Sequence, residues 1–519
     1  MSAIIPITGV AIDFRVPGAF AEILFAQGPA SAAVGEREAV FVMPMLASGT
    51  TWTANALIRV NNSGEAETGA GAGSPIHRAI RKYLTHNKDS KVWALPYLPT
   101  SGGSPVAATG VITFTFSSGS NPTATGTATV TIGGEDCTYT YKTNDTLTTI
   151  AAGLKGAINA KSHLPVTADN SLGVLTITAK ILGASQGNGT VGVIRFRATV
   201  TAGTNAVVAT SGAALGLGTG AAGVDGSTTE ATRLTAALAV LDSVRKYYIG
   251  VSVNDATSLG AVKTHVVNKS EPRRGLRSRA IAAYTSTGAA GATLATGRNY
   301  ERLQIFWQEN SEHDNAEIVG ALMAILQKEE SKDATANLAS YSLSDILLPV
   351  FDAADRPDDT EQNDAICDGL APIATNEVGP YLVMNVNTRS KNSLGTQDDF
   401  RATEAHRVSG CDLFVDTVLA NWALQYAARK FEDDERLADG KFNPSQGQRP
   451  NVVRPSNIDR WLKSQLEDFW NLGHSQNLQA SKDSVRCVKT GARNEASLDL
   501  HIIDHLLQGT FRVAEVSPG

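Results

Sequence analysis

The octapeptide Lys246-Tyr-Tyr-Ile-Gly-Val-Ser-Val253 decides the fold class, because of what stands on either side of it. Rich in β-branched and aromatic residues, it reads as a strand. Upstream, Ser227-Thr-Thr-Glu230 has the spacing of a capping box, with a hydroxyl at the N-cap and a carboxylate three residues on. It opens a helix whose Leu234, Leu238 and Leu241 share a face. Downstream, the pattern predicts a helix from about Ala256 to Asn268, strands over Ser278–Ser286 and Glu301–Trp307, and a strong helix over His313–Glu330. Strand and helix alternating at this spacing predict an open, mostly parallel sheet with helices on its faces.

The preceding stretch has a different texture. Residues 100–226 hold 24 threonines, 21 glycines and only 11 charged residues, and none of the six tryptophans. Val111-Ile-Thr-Phe-Thr-Phe116 and Ala128-Thr-Val-Thr-Ile132 alternate as strands, Gly133-Gly134 marks a turn, and Thr138-Tyr-Thr-Tyr141 resumes a strand. A short amphipathic helix is predicted from about Thr146 to Ala160, then strands over Gly173–Ala179 and Val191–Val200. Such a self-contained β-rich stretch between two parts of another texture reads as an insertion.

Beyond about residue 380 the texture changes again. Pro380–Asn387 is a predicted strand, followed by a long helical stretch from about Ala402 to Leu437 with Val415, Val418, Leu419, Trp422 and Tyr426 at helical spacing. Pro455-Ser456 begins another helix with a stripe of Ile458, Trp461, Leu462 and Phe469. Both stripes read as core-facing. Ser484–Thr490, Ser497–Ile503 and Thr510–Val516 read as strands.

Composition bounds the function. The chain has 519 residues, 42% hydrophobic and 18% charged, with net charge −6. This is globular, of about three domains, and its acidic balance offers no general pull toward nucleic acid or anionic lipid. No membrane span is expected. The first positive residue is Arg15, so no secretory signal is expected either. Cys137, Cys367, Cys411 and Cys487 lie far apart and are expected as isolated, buried or half-buried thiols.

Motifs that would carry catalysis fail on context. Gly187–Gly192 and Gly218–Gly223 match GxGxxG, yet neither stands between a strand and a helix start, so both read as turns or linkers. His501-Ile-Ile-Asp504-His505 imitates a helical zinc motif, but its acid is Asp and it follows a period-two run. On a strand its two histidines would stand about 13 Å apart, too far to share an ion. The acidic run Asp352–Glu361 lacks the glycine and terminal glutamate of an EF-hand and reads as a solvated loop. Glu432–Glu435 reads as a charged helix end, and Arg273, Arg274, Arg277 and Arg279 as a solvated loop or an acidic partner's contact. No P-loop occurs. No catalytic residue, metal site or cofactor is expected.

Both ends of the chain alternate. Val10, Ile12, Phe14 and Val16 point one way before Pro17-Gly18, and Phe511 and Val513 alternate with Arg512 and Ala514 near the other end. A strand with one apolar face needs a partner, because its open edge is sticky. Pairing within the chain and strand addition to a neighbouring copy both remain open. A donated arm is a heterologous contact, which builds a helical filament when its operator does not close.

In order and spacing, several segments resemble the contractile tail sheath proteins of bacteriophages, the Mu-like branch in particular. They are Val42-Met-Pro-Met-Leu-Ala-Ser-Gly-Thr50, Gly73-Ser-Pro-Ile-His-Arg-Ala-Ile80, Val92-Trp-Ala-Leu-Pro96, Thr131-Ile-Gly-Gly134, Asn144-Asp-Thr146, Leu164-Pro-Val-Thr-Ala168, Asp439-Gly440, Val453-Arg-Pro-Ser456 and Leu498-Asp-Leu-His-Ile502. No role is carried onto Asn385–Thr396, which matches the pattern loosely. The resemblance implies a subunit that polymerises as stacked rings around a tail tube in an extended, metastable state. On a baseplate signal the lattice shortens and drives the tube through the host envelope. The family's core is subtilisin-like in shape, without proteolysis. Its terminal arms complete a sheet in neighbouring subunits. A small difference per subunit, summed over many copies, makes the transition strongly downhill without nucleotide.

The expected fold is therefore a multidomain α+β protein: an α/β core sheet with flanking helices, an inserted β-rich domain, and a C-terminal α+β domain with extended terminal arms. Its expected parts are an N-terminal arm (1–20), a first part of the core (21–99), the inserted outer domain (100–226), the α/β core (227–379), the C-terminal domain (380–505) and a C-terminal arm (506–519). Val10, Ile12, Phe14, Val16, Phe511, Val513 and Val516 are the candidate inter-subunit strand residues. Arg460, Lys463 and Glu467 are candidates to face the tube. Expected partners are further copies of the chain, the tube protein, and baseplate and tail terminator proteins, in a virion tail assembled in the host cytoplasm. A contractile bacteriocin or injection system would use the same mechanism. An α/β hydrolase and a glycan-binding surface adhesin are the rivals of other classes.

Overall fold

The computed structural model describes residues 37–116, 121–184, 194–201, 207–209, 215–216, 221–271, 274–391, 397, 402–426, 429–434, 449, 451–490 and 493–505. They fall into two units. The first holds the residues up to Asp412, with Gly473–Gln476 and the residues from His501 onward; the second holds Leu413–Leu472 and Asn477–Leu500.

The first unit is built on a nine-stranded mixed sheet. In spatial order its strands are Tyr341–Ser342, Pro380–Leu382, Ala371–Thr375, Leu303–Trp307, Arg279–Tyr284, Tyr248–Val251, Ala39–Pro44, Val92–Tyr97 and Ile58–Val60. The six from Ala371–Thr375 to Val92–Tyr97 run parallel, and antiparallel strands close both edges. This is the mostly parallel sheet that the alternation around residues 246–253 predicts.

Period two explains why both faces are covered. Ala39, Phe41 and Met43 turn to one face, where they pack with Ile76, Ile80 and Tyr83 of helix Pro75–His86 and with Val319, Leu322 and Met323 of helix Asn315–Lys332. Val40 and Val42 turn to the other, against Leu234 and Leu238 of helix Glu230–Ala239 and Leu259, Val262 and Val266 of helix Ala256–Ser270. The two helices of the first face touch closely: a Cβ added at Gly320 would lie 2.3 Å from the Ala79 carbonyl oxygen. Ser74 caps helix Pro75–His86 by accepting from the His77 N–H at 3.3 Å, with Pro75 at the first helical position.

The capping box expected at Ser227 does not form. The helix begins at Glu230, after Thr229, which makes no side-chain cap. Glu230 turns inward instead, and its carboxylate accepts from the Tyr97 hydroxyl at 2.8 Å. A buried phenol needs an acceptor more than an exposed helix end needs a second cap.

Residues 107–216 contribute two four-stranded sheets. One has the order Val207–Ala209, Ala107–Phe116, Val174–Leu182, Val166–Ser171; the other has Leu215–Gly216, Arg195–Thr201, Gly126–Ile132, Glu135–Tyr141. Their inner faces share one core with helix Leu147–Asn159, through Ile112, Phe114, Val130, Ile132, Ile150, Leu154 and Ile177. The path in and the path out run side by side, as antiparallel bridges join Ser101 to Thr228 and Val106 to Val224. Glu135 ties this layer to helix Pro75–His86, meeting Arg81 of that helix at 3.0 Å, while His163 of its own layer holds it at 2.6 Å.

The second unit contains most of helix Ala405–Tyr426, helix Pro455–Asn471, the short helix Leu478–Ser484 and the hairpin Arg486–Thr490 with Arg493–Ser497. The first of these helices stops at Tyr426, well before the expected Leu437, and Lys430–Phe431 pairs in parallel with Val452–Val453. Ser497–Ile503 is not a strand. The strand here is Arg493–Ser497, and Ile502 makes one isolated bridge to Ser475. Leu498 and Leu500 are half-buried, and the backbone pairs only around the buried Ile502, where the Gln476 N–H donates to the His501 carbonyl and the Ile503 N–H to the His474 carbonyl.

All four cysteines are free. Cys137 and Cys487 are buried as expected, whereas Cys367 and Cys411 are exposed.

Candidate functional site

Val10, Ile12, Phe14, Val16, Phe511, Val513 and Val516 lie outside the described residues, as do Gly187–Gly192 and Gly218–Gly220. Arg460, Lys463 and Glu467 do have a place. They stand at positions i, i+3 and i+7 of helix Pro455–Asn471, on one stripe. The helix starts because Pro455 pre-sets its first turn and the Asn457 side chain accepts from the Arg454 N–H at 3.0 Å. Ile458, Trp461, Leu462, Leu466 and Phe469 fix its buried side. On the polar side Lys463 meets Asp459 at 2.9 Å and Glu467 meets Lys482 at 2.8 Å, while Arg460 is exposed and donates to the Ser456 carbonyl at 3.3 Å. Partly exposed pairs like these contribute about 1 kcal/mol or less each, so the stripe is a readable charge pattern rather than a structural brace.

The stripe on helix Ala405–Tyr426 behaves differently from its core-facing expectation. Phe414 is buried and packs edge-on against Phe469, centroids 5.3 Å apart, and Trp422 and Tyr426 lean on Trp461 at 6.0 and 5.3 Å. Yet Val415 is 38% exposed, Leu419 53% and Trp422 37%, at spacings of four and three. Leu424, Trp470 and Leu472 are exposed in the same unit. A helix can be apolar on two sides, and spacing alone does not say which side is covered.

The charged motifs have structural employment. In the acidic run, Asp358 and Glu361 form the capping box of helix Asp359–Cys367, and Asp352 caps a short turn. Glu432 pairs with Arg454, and Asp434 accepts from Ser456 N–H at 2.8 Å, so this segment holds a helix start and is not a helix end. Of the basic cluster, Arg277 meets Asp412 at 3.5 Å, and Arg279 is fully buried. The solvated-loop reading therefore fails for these two: each has an acidic partner inside its own unit.

That partner set is a buried ionic network which no local motif signals. Glu330 receives Arg279, Arg37, the Tyr248 hydroxyl at 2.8 Å and the Ser409 hydroxyl at 2.7 Å. Asp412 receives Arg302 through two contacts, at 2.5 and 2.7 Å, and the Tyr247 hydroxyl at 3.1 Å. Burial pushes the Asp412 carboxyl up, but Arg302 and then Arg277 and Arg37 outweigh it and hold the group below the ordinary carboxylate range. Burial likewise pushes the Tyr247 phenol up to about 12. The members are separated by up to hundreds of positions, so only the tertiary fold brings them together. Paired in this way they brace the unit; nothing in their geometry presents a nucleophile to a cavity.

His501 and His505 do not form a helical pair. His505 instead stacks on His406, centroids 3.8 Å apart, beside Glu404. Among the described residues no helix is long and apolar enough to cross a membrane.

No family model and no curated protein matches the chain. Solved structures similar to it include the sheath tail protein of Desulfitobacterium hafniense, at 11% identity, covering 94% of this chain and 97% of that one with a TM-score of 0.47. A sheath tail protein of Listeria innocua has 14% identity, coverage of 92% and 98%, and a TM-score of 0.42. The sheath complex of an extracellular contractile injection system, in its contracted state, has 8% identity, coverage of 96% and 98%, and a TM-score of 0.46. At these identities and scores the likeness assigns the chain neither a family nor an activity.

Proposed function

We propose that the chain is a non-enzymatic structural subunit of a contractile tail sheath. It polymerises helically around a tube and shortens from an extended, metastable state to drive the tube through an envelope. The observation that supports this most directly is the apolar stripe Val415, Leu419 and Trp422, which a lone molecule exposes to water. Exposed apolar surface of this kind marks an interface. The ordered sequence resemblance along the chain supplies the kind of interface, a lattice of identical copies.

In this reading residues 1–20 and 506–519 are arms that add strands to neighbouring copies, through Val10, Ile12, Phe14 and Val16 at one end and Phe511, Val513 and Val516 at the other. Residues 21–99 and 227–379 form the core, 380–505 the C-terminal domain, and 100–226 the outer insertion. Arg460, Lys463 and Glu467 face the tube. The further partners are baseplate and terminator proteins, and the location is the tail of a phage or of a headless contractile particle.

Negative-stain microscopy of the purified protein tests the reading. Helical tubes that appear with rising concentration support it, and a protein that stays monomeric at every concentration overturns it. Deletion of residues 511–519 tests the arm: the deleted chain should remain folded by circular dichroism and fail to form tubes.

A further inference from the structure

His505 reaches the residues that open helix Ala405–Tyr426. Its Nε2 lies 2.7 Å from the Thr335 carbonyl oxygen, and the Nε2 of His406 lies 3.2 Å from the Ile503 carbonyl oxygen. A carbonyl oxygen can only accept, so each contact places the ring proton on Nε2 and leaves the lone pair on Nδ1. The Nδ1 of His406 in turn stands 3.3 Å from Oε2 of Glu404. Two lone-pair atoms at that separation repel each other unless a positive centre lies between them. Arg407 does not supply it: its guanidinium turns to Asp504 at 2.5 Å and meets the other Glu404 oxygen at 3.6 Å.

The three residues offer ligand atoms all within 4.8 Å of one another. His406 is buried and the other two are half-buried. The pocket beside them is walled by Ala336, Leu338, Met384 and Asn385 and has a volume of about 10 Å³, room for one small species.

We propose that Glu404, His406 and His505 bind a divalent transition-metal ion of the borderline class, with zinc as its representative. The donors would be one carboxylate oxygen and the two Nδ1 atoms. Two nitrogens with one oxygen suit that class and not calcium or magnesium, which take oxygen ligands. The carbonyls of Thr335 and Ile503 are the outer partners that such histidines require, since each fixes a tautomer and orients a ring. Three protein ligands leave a fourth position for water. Tetrahedral ligands at zinc distances lie roughly 3.4 Å apart, so the ligand atoms must close by up to about 1.4 Å and the His406 and His505 rings must turn out of their stacked arrangement. The ion would link the start of a helix to residue 505, binding two distant parts of the chain within one unit. The inference does not depend on the sheath reading.

The test uses tag-free, full-length protein stripped with a chelator. Zinc is titrated by calorimetry, and cobalt by visible absorption. One ion per chain is expected, with the intense absorption of four-coordinate cobalt. Glu404→Gln and His505→Gln should each weaken zinc binding at least tenfold while circular dichroism stays unchanged. His406 is too buried to serve as the only variant. Absence of stoichiometric binding, or binding of unchanged affinity in both variants, overturns the proposal.

Discussion

The Nη1 nitrogen of Arg279 sits 2.8 Å from both carboxylate oxygens of Glu330, with the arginine fully buried. Arg37 shares the same carboxylate at 3.2 Å. Removing one partner from such a set strands the rest in a medium that solvates charge poorly. Glu330→Gln is therefore expected to cost about 3 kcal/mol or more, read as a lower urea midpoint. Changing Arg37, Arg279 and Glu330 together to methionine should cost less than the single change. If Glu330→Gln unfolds at the wild-type midpoint, the network is not a brace.

Gly320 has a packing role that its helix does not advertise. Alanine there gains about 1 kcal/mol of helix propensity. Its Cβ, however, would meet the Ala79 carbonyl oxygen at 2.3 Å, and backbone cannot swing aside as a side-chain tip can. Overpacking of this kind costs roughly 1–3 kcal/mol, so Gly320→Ala should lower the melting temperature. A melting temperature raised by this substitution would mean that the two helices separate freely.

Acid should weaken the first unit. Burial holds the His77 and His265 imidazoles down to about 4, and the His77 Nδ1 accepts from the Gly73 N–H at 3.1 Å. The unfolded chain takes up these protons near pH 6.5. Between about 6.5 and 4 it binds more protons than the folded chain, so stability falls as pH falls through that window. The slope is at most about 1.4 kcal/mol per pH unit for each histidine. Denaturant midpoints at a series of pH values measure it, and His265→Leu should make the slope shallower.

The charge stripe of helix Pro455–Asn471 separates folding from assembly. Arg460→Glu with Lys463→Glu removes an exposed contact of Arg460 and the half-buried Lys463–Asp459 pair, so the melting temperature should fall only slightly. Under the proposed tube-facing role, sheaths assembled from this variant should no longer form on tube protein, scored by co-sedimentation. Normal co-sedimentation would take the stripe out of the tube interface.

Much of the fold was legible because it depends on period. The strands around Tyr248, Ile281 and Ile305 and the helix containing Val319 announce themselves through short apolar runs and helical spacing, and each lies within a few residues of its expected place. What periodicity cannot report is the partner. Ser227 to Glu230 has a cap's spacing, but Tyr97, far away in sequence, claims the carboxylate. Leu498, Leu500 and Ile502 alternate without a neighbouring strand. Val415 and Leu419 share a period with buried Phe414's helix and still face water. Arg279 looked like a surface charge because Glu330 is 51 positions away. The candidate sites are less legible for the same reason: the sequence sets His505 beside His501, whereas its spatial neighbours are His406 and Glu404.

The adjacent bridges Ser101–Thr228 and Val106–Val224 have a bearing on how this chain can vary. A layer that departs and returns through one narrow doorway can be exchanged for another, or for a short turn, without rethreading the parallel strands beneath. Salt contacts such as Arg81–Glu135 would be forfeited, but the hydrogen-bond ladder of the nine strands would not notice. This layer can thus diverge in size and chemistry while the frame stays constant.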